Sequence, residues 1–311
     1  MRARVIAACY VAIAALLWGA DSLVQFPALA GVPGDALTFY EHILGLMLLI
    51  PFVARPSRRE LRLLRPKHLV PLFFVGIAGE TLGGIFFGKG YHDVGSAASG
   101  FLQMLQPFCV LAMVWALGRE RNASSYLAWA MSVLFGALVI WVFDSSFDVQ
   151  LLEEPRFWMG AGLGFFAVAL WAASNVSGKI LLKTFSPSSI VFSRWMLSLL
   201  GLALVISFKH VPLDASTFFT ISGFLSLLTH AVIFALLPLW IFYRGLRALP
   251  ASLTTFIELA CPLALAFLPG FMGQKHIQQI QWLGGISVLV GVLLLLRLEL
   301  EFVSKVREES T

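Results

Sequence analysis

Charge is what this sequence has least of. Asp, Glu, Lys and Arg make up 13% of its 311 residues, hydrophobic residues make up 59%, and the mean hydropathy is +0.86. Soluble domains carry about a quarter charged residues, so a water-facing globular chain is excluded. Cysteine is scarce as well. Cys9, Cys109 and Cys261 are odd in number, lie in apolar stretches and form no C-x-x-C pair, which leaves packing rather than a disulfide, metal or redox role. A phosphate-binding G-x-x-x-x-G-K-[ST] loop is absent, so coupling to ATP within this chain is not expected. The G-x-S-x-G, H-E-x-x-H and paired-Asp patterns are missing too, which disfavours an intramembrane enzyme acting on lipid. No cofactor is expected.

What is present is length of apolar chain. Ten runs, near 5–26, 35–54, 69–88, 94–117, 123–143, 157–178, 187–208, 216–243, 250–270 and 277–297, each approach the roughly 20 residues that a helix needs to cross a bilayer. They are far too long for membrane strands of about 10 alternating residues. The fold expected is therefore all-α and integral to the membrane, with ten transmembrane helices. Arg2 and Arg4 followed by an apolar run imitate a signal peptide, but Trp18, Asp21 and Gln25 are poor company for a signal core, and the first run reads as a retained helix. With both termini in the cytoplasm, 17 basic residues fall on inside segments and 4 on outside ones, while Arg194 sits within a run. The net charge of +5 is thus topogenic. It gives no reason to expect a nucleic-acid partner. The run "ARPSRRELRLLRPKH" over 54–68 is its strongest part and suits anionic headgroups.

The chain also repeats itself. A shift of 153 residues lays "LLWGADSL" from Leu16 onto "ALWAASNV" from Ala169 and puts Glu41 on Arg194. A shift of 155 lays "GSAASGFLQMLQPF" from Gly95 onto "PASLTTFIELACPL" from Pro250, so that Gln103 meets Glu258 and Pro107 meets Pro262. Five helices per repeat is an odd number, so the halves face opposite ways, as inverted repeats with a midplane site do. The expected organisation is a first repeat over 1–145, an extracytoplasmic linker over 146–156, a second repeat over 157–300 and a cytoplasmic tail over 301–311.

This arrangement resembles the EamA-type permeases of the drug/metabolite transporter superfamily: ten apolar runs, "LLWG" and "ALWA" opening the halves, an Arg in the second run of the second half, and a proline in the fourth run of each. The resemblance implies a multi-pass carrier in a bacterial inner membrane that exports amino acids, other metabolites or drugs; some members import amines. Two departures stand out. Glu41 replaces the Arg common in first halves, and Gly273-Gln274-Lys275 replaces the second "GE" pattern.

Ionisable groups are costly in lipid and tend to face a cavity or a partner. Trp18, Asp21, Ser22 and Gln25 share one helical face through i, i+3, i+4, i+7 spacing, and Trp171, Ser174, Asn175 and Gly178 repeat it. With Glu41, Gln103, Arg194 and Glu258 they form the candidate substrate site; His42 and His230 join the same cavity, and Lys179 stands nearer the inner mouth. Glu41 and Arg194 at mirrored positions suit the ammonium and carboxylate of a zwitterion. A structural ion pair between the two is the alternative. Glu80, within "VGIAGETLGGIFFGKG", is the candidate proton-coupling group, with a hydrogen bond or salt bridge as the alternative. The function expected is export of a small zwitterionic or cationic metabolite by alternating access. Proton-coupled uptake of an amine or metabolite stands beside it. A monomer suffices for one pathway, and a homodimer is compatible with the sequence.

Overall fold

The computed structural model describes residues 2–21, 23–24, 26–120, 126–145 and 147–309, with backbone alone over 54–59 and 305–309. Every regular element among them is helical. In chain order these are α1 (Arg2–Asp21), α2 (Gly34–Leu61), α3 (Leu69–Phe73), a π-helical stretch over Phe74–Leu82, α4 (Gly83–Met104), α5 (Gln106–Ala116) and α6 (Leu127–Val142). Then follow α7 (Pro155–Leu181), α8 (Pro187–Lys209), α9 (Ile221–Thr229), a second π-helical stretch over His230–Leu236, α10 (Leu237–Ala248), α11 (Ala251–Glu258), α12 (Ala260–Phe271) and α13 (Gln279–Glu309). Lipid offers backbone groups no partner, and a helix satisfies them within itself. Seven helical stretches among the described residues are long and apolar enough to span a membrane, and α6 is a shorter apolar helix. Large apolar side chains point outward as lipid requires, among them Phe52, Trp115, Phe135, Phe208 and Leu283.

Breaks in these helices have readable causes. α4 contains Gly95 at φ +77°, a conformation only glycine enters freely, and the third apolar run gives way to the fourth there. The fourth run of each half breaks once, at Leu105 and at Leu259, two and three residues before Pro107 and Pro262. Each proline ring removes the amide that would bond four residues back, to Gln103 and Glu258. Two helices outrun the apolar stretches: α2 continues to Leu61 and α13 to Glu309, so the segment expected as a tail from 301 stays helical. Glu, Lys, Arg and Leu are good helix formers, and nothing forces the helix to stop at the lipid boundary.

Side-chain contacts tie the first half to the second at both ends. At the end rich in basic residues, Arg4 pairs with Glu299, and the Tyr126 hydroxyl donates to the same carboxylate at 2.7 Å. Glu120 accepts from the Ala251 amide at 2.6 Å and from the Ser252 amide, which caps the N-terminus of α11. Glu60 accepts from the Ser186 amide at 3.2 Å at the start of α8. At the other end Lys209 pairs with Asp35 at 2.6 Å, and Lys275 with Asp144. Between the ends α6 packs closely along α13. Ser132 Oγ lies 3.1 Å from Ser287 Oγ, residues 155 apart in sequence. A Cβ on Gly136 would meet Val288 and one on Gly291 would meet Val133, and these two contacts are again related by 155.

Candidate functional site

A cavity of about 450 Å³ opens where the halves meet. Its walls hold Trp18, Asp21, Glu41, Glu80, Gln103, Trp171, Asn175, Arg194 and Glu258, brought from α1, α2, the first π-helical stretch, α4, α7, α8 and α11. These candidates therefore share one cavity, whereas Gly178 and Lys179 are not on its wall. Ser22 and Gln25 lie outside the described residues. The volume falls within the range of small-molecule sites.

The charged groups form two bridges. Arg194 directs Nε and Nη2 at Oε2 of Glu80, and its Nη1 donates to the Tyr243 hydroxyl at 3.2 Å. The other oxygen of Glu80 faces Nε2 of His42 at 3.6 Å. In the second bridge His230 stands between two carboxylates, Nε2 at 3.1 Å from Asp21 and Nδ1 at 3.2 Å from Glu41. Apart from these, Asn175 donates to Glu258 at 3.0 Å. Oδ1 of Asp21, both ring nitrogens of His42, Ser174 Oγ and Nδ1 of His230 are buried without a hydrogen bond, and all four residues are on the cavity wall.

Aromatic rings line the remaining wall. Trp18 packs on Phe242 at 5.5 Å, Trp171 on Phe87 at 4.9 Å, and the ring of Trp195 lies 4.9 Å from that of His42. Gly45 is where Trp195 fits, since any Cβ there would run into the indole.

Two alternatives left open by the sequence are answered. Glu41 and Arg194 do not pair with each other; each faces a residue of the other half instead. Glu80 sits in a salt bridge with Arg194, the alternative to a free proton-coupling acid. Lys179 is not on this cavity. Its ammonium donates to the carbonyls of Leu246, Arg247 and Leu249 at 2.8, 3.0 and 2.6 Å, closing the C-terminus of α10. It lines a separate cavity of about 320 Å³ at the basic end with Arg4, Arg119, Glu120, Lys183 and Glu299. His230 takes its expected place on the cavity, but its partners were not foreseen, and Tyr243 was outside the candidate set. Each is a polar residue in an apolar run, which is a signal, but their partners lie more than 45 residues away and no spacing points to them.

Comparison with known proteins agrees with this architecture. The family model for EamA-like transporters matches twice, over residues 5–142 and 158–297. The chain belongs to the EamA-like transporter family. Membership in the drug/metabolite transporter superfamily fits, and the family and its named relatives point to transport. Among curated relatives, the riboflavin transporter ImpX of Fusobacterium nucleatum is 22% identical over 92% of this chain and 96% of its own. The uncharacterized transporter YwfM of Bacillus subtilis is 25% identical over 92% of each. A solved crystal structure superposes with a TM-score of 0.74 at 18% identity, covering 95% of this chain and 98% of the other, which shows a shared fold.

Proposed function

We propose that this transporter carries a small zwitterionic or cationic organic metabolite outward across a bacterial inner membrane by alternating access. The observation that carries this reading is the interhalf cavity, where the charges Asp21, Glu41, Glu258 and Arg194 stand beside the rings of Trp18 and Trp171. An ammonium group gains from the carboxylates and from the tryptophan faces, and a carboxylate gains from Arg194. His42 and Ser174 add polar side chains to the same wall. The framework is ten helices in two inverted five-helix repeats, 1–145 and 157–300, joined by an outside linker over 146–156, with both termini cytoplasmic. The double family match, the contacts related by 155 along α6 and α13, and the excess of basic residues at one end support it.

A second reading has its own support. The relative named as a riboflavin transporter and the two cavity tryptophans favour a flat aromatic metabolite.

Both readings are tested by comparing metabolites in the medium of cells that produce wild type, Glu41→Gln or Trp171→Ala at equal abundance. Export predicts an amine or amino-acid-like compound that accumulates with wild type alone. Riboflavin as the compound that changes favours the second reading. Identical profiles in wild type and empty cells would remove export of an endogenous metabolite.

A further inference from the structure

The two bridges of the cavity are counterparts. Arg194 lies on α8, the second run of the second half, and bonds Glu80 in the π-helical stretch of the third run of the first half. Glu41 lies on α2, the second run of the first half, and meets His230 in the π-helical stretch of the third run of the second half. Glu41 and Arg194 occupy matching positions in the repeat, so the bridges exchange places under its pseudo-twofold. Their charges are reversed, and so is their chemistry. A guanidinium keeps its charge under all physiological conditions, whereas an imidazole does not.

Geometry says which form of His230 fits. Both ring nitrogens face carboxylate oxygens, which only accept. A neutral imidazole has one N–H and one lone pair, so one of its nitrogens would face a carboxylate lone pair to lone pair; the imidazolium is attracted to both carboxylates, as ion pairs rather than aligned hydrogen bonds, since Nδ1 of His230 and Oδ1 of Asp21 make none. Groups facing His230 from the helices packed on it are Asp21 from α1 and Glu41 from α2. α9 carries no titratable residue, and on α10 Tyr243 is turned to Arg194. His42, beside Glu41 in sequence, is turned to Glu80. The ring edges of Phe26 and Phe234, at 5.7 and 6.3 Å, hold the imidazole in place. The π-helical winding of both stretches marks places where a helix gives up regular bonding at a functional position.

We infer that His230 is the binding site of a coupling proton, taken from and returned to water through the cavity, and that this proton closes the Asp21–His230–Glu41 bridge between the halves while the Arg194–Glu80 bridge is indifferent to pH. Binding adds one proton to the bare ring nitrogen; release leaves a neutral ring facing two carboxylates and opens the bridge. The inference deepens the carrier reading and rests on it, moving the proton from Glu80 to His230.

The test uses the full chain in liposomes with two readouts. Nitrogen-15 spectra of histidine-labelled protein, assigned with His230→Gln, are expected to show His230 passing from imidazolium to neutral as the pH is raised from 5 to 11, and doing so at lower pH in Glu41→Gln. The second readout is accumulation of labelled amino acids and of riboflavin, with a pH gradient imposed or collapsed by an ionophore. Wild type is expected to accumulate at least one probe several-fold more with the gradient. His230→Gln loses that gain, and so does His230→Lys, permanently bridged, while both elute as folded proteins. A His230 signal fixed in one form across the range overturns the proton site. Equal accumulation with and without the gradient overturns the coupling and leaves the carrier standing. No movement of any probe under either condition removes the carrier reading for those substrates, and the inference falls with it.

Discussion

At the scale of single residues, the cavity is governed by the cost of a charge without a partner. Arg194 and Glu80 are mostly withdrawn from solvent, with side-chain exposures of 13% and 22%. Removing one partner strands the other, which costs on the order of 3 kcal/mol, whereas removing both strands neither. Arg194→Met is therefore expected to lower the melting temperature in detergent clearly, and Arg194→Met with Glu80→Met to recover part of the loss. A double variant less stable than the single would contradict the pairing. Much of this site was legible in the sequence because intramembrane polar residues stand out against an apolar background: Trp18, Asp21, Glu41, Gln103, Trp171, Asn175, Arg194 and Glu258 all line the same cavity. Pairing was not legible. Helical spacing fixes which residues share a face, but which face meets which depends on contacts between helices far apart in the chain.

At the scale of elements, the helices are shaped at their ends and breaks. Lys179 illustrates the first. Its three bonds to the last carbonyls of α10 combine a charged donor with the negative end of the helix. Lys179→Met is expected to cost about 2 kcal/mol, read as a lower midpoint of thermal unfolding, while Lys183→Met leaves the midpoint in place. Equal effects would show that general charge, not capping, matters. The breaks at Leu105 and Leu259 follow from Pro107 and Pro262, which the sequence displays, whereas the π-helical winding over Phe74–Leu82 and His230–Leu236 has no shared sequence signature, the first stretch holding two glycines and the second none. Such winding depends on the partners that take up the displaced backbone bonds, and those belong to other helices.

At the scale of the molecule, contacts between the halves decide which way the cavity opens. Glu60 and Glu120 hold the N-termini of α8 and α11 at the basic end. Replacing both by alanine is expected to open that end, so that Cys261, on the cavity wall, reacts several-fold faster with a thiol reagent applied from that side in a Cys9→Ser, Cys109→Ser background. An unchanged rate would mean that the two carboxylates do no gating. The seam between α6 and α13 has the opposite character. Under the alternating access proposed above, a contact between a residue and its own counterpart, as between Ser132 and Ser287, maps onto itself when the two halves trade conformations, so it has no second arrangement to adopt. The seam would then be the spindle of the machine, the place where motion is zero while everything around it swings. A Ser132→Cys, Ser287→Cys crosslink is expected to leave transport running, whereas a crosslink between positions 41 and 230 stops it; arrest by the first would mean that the spindle turns elsewhere.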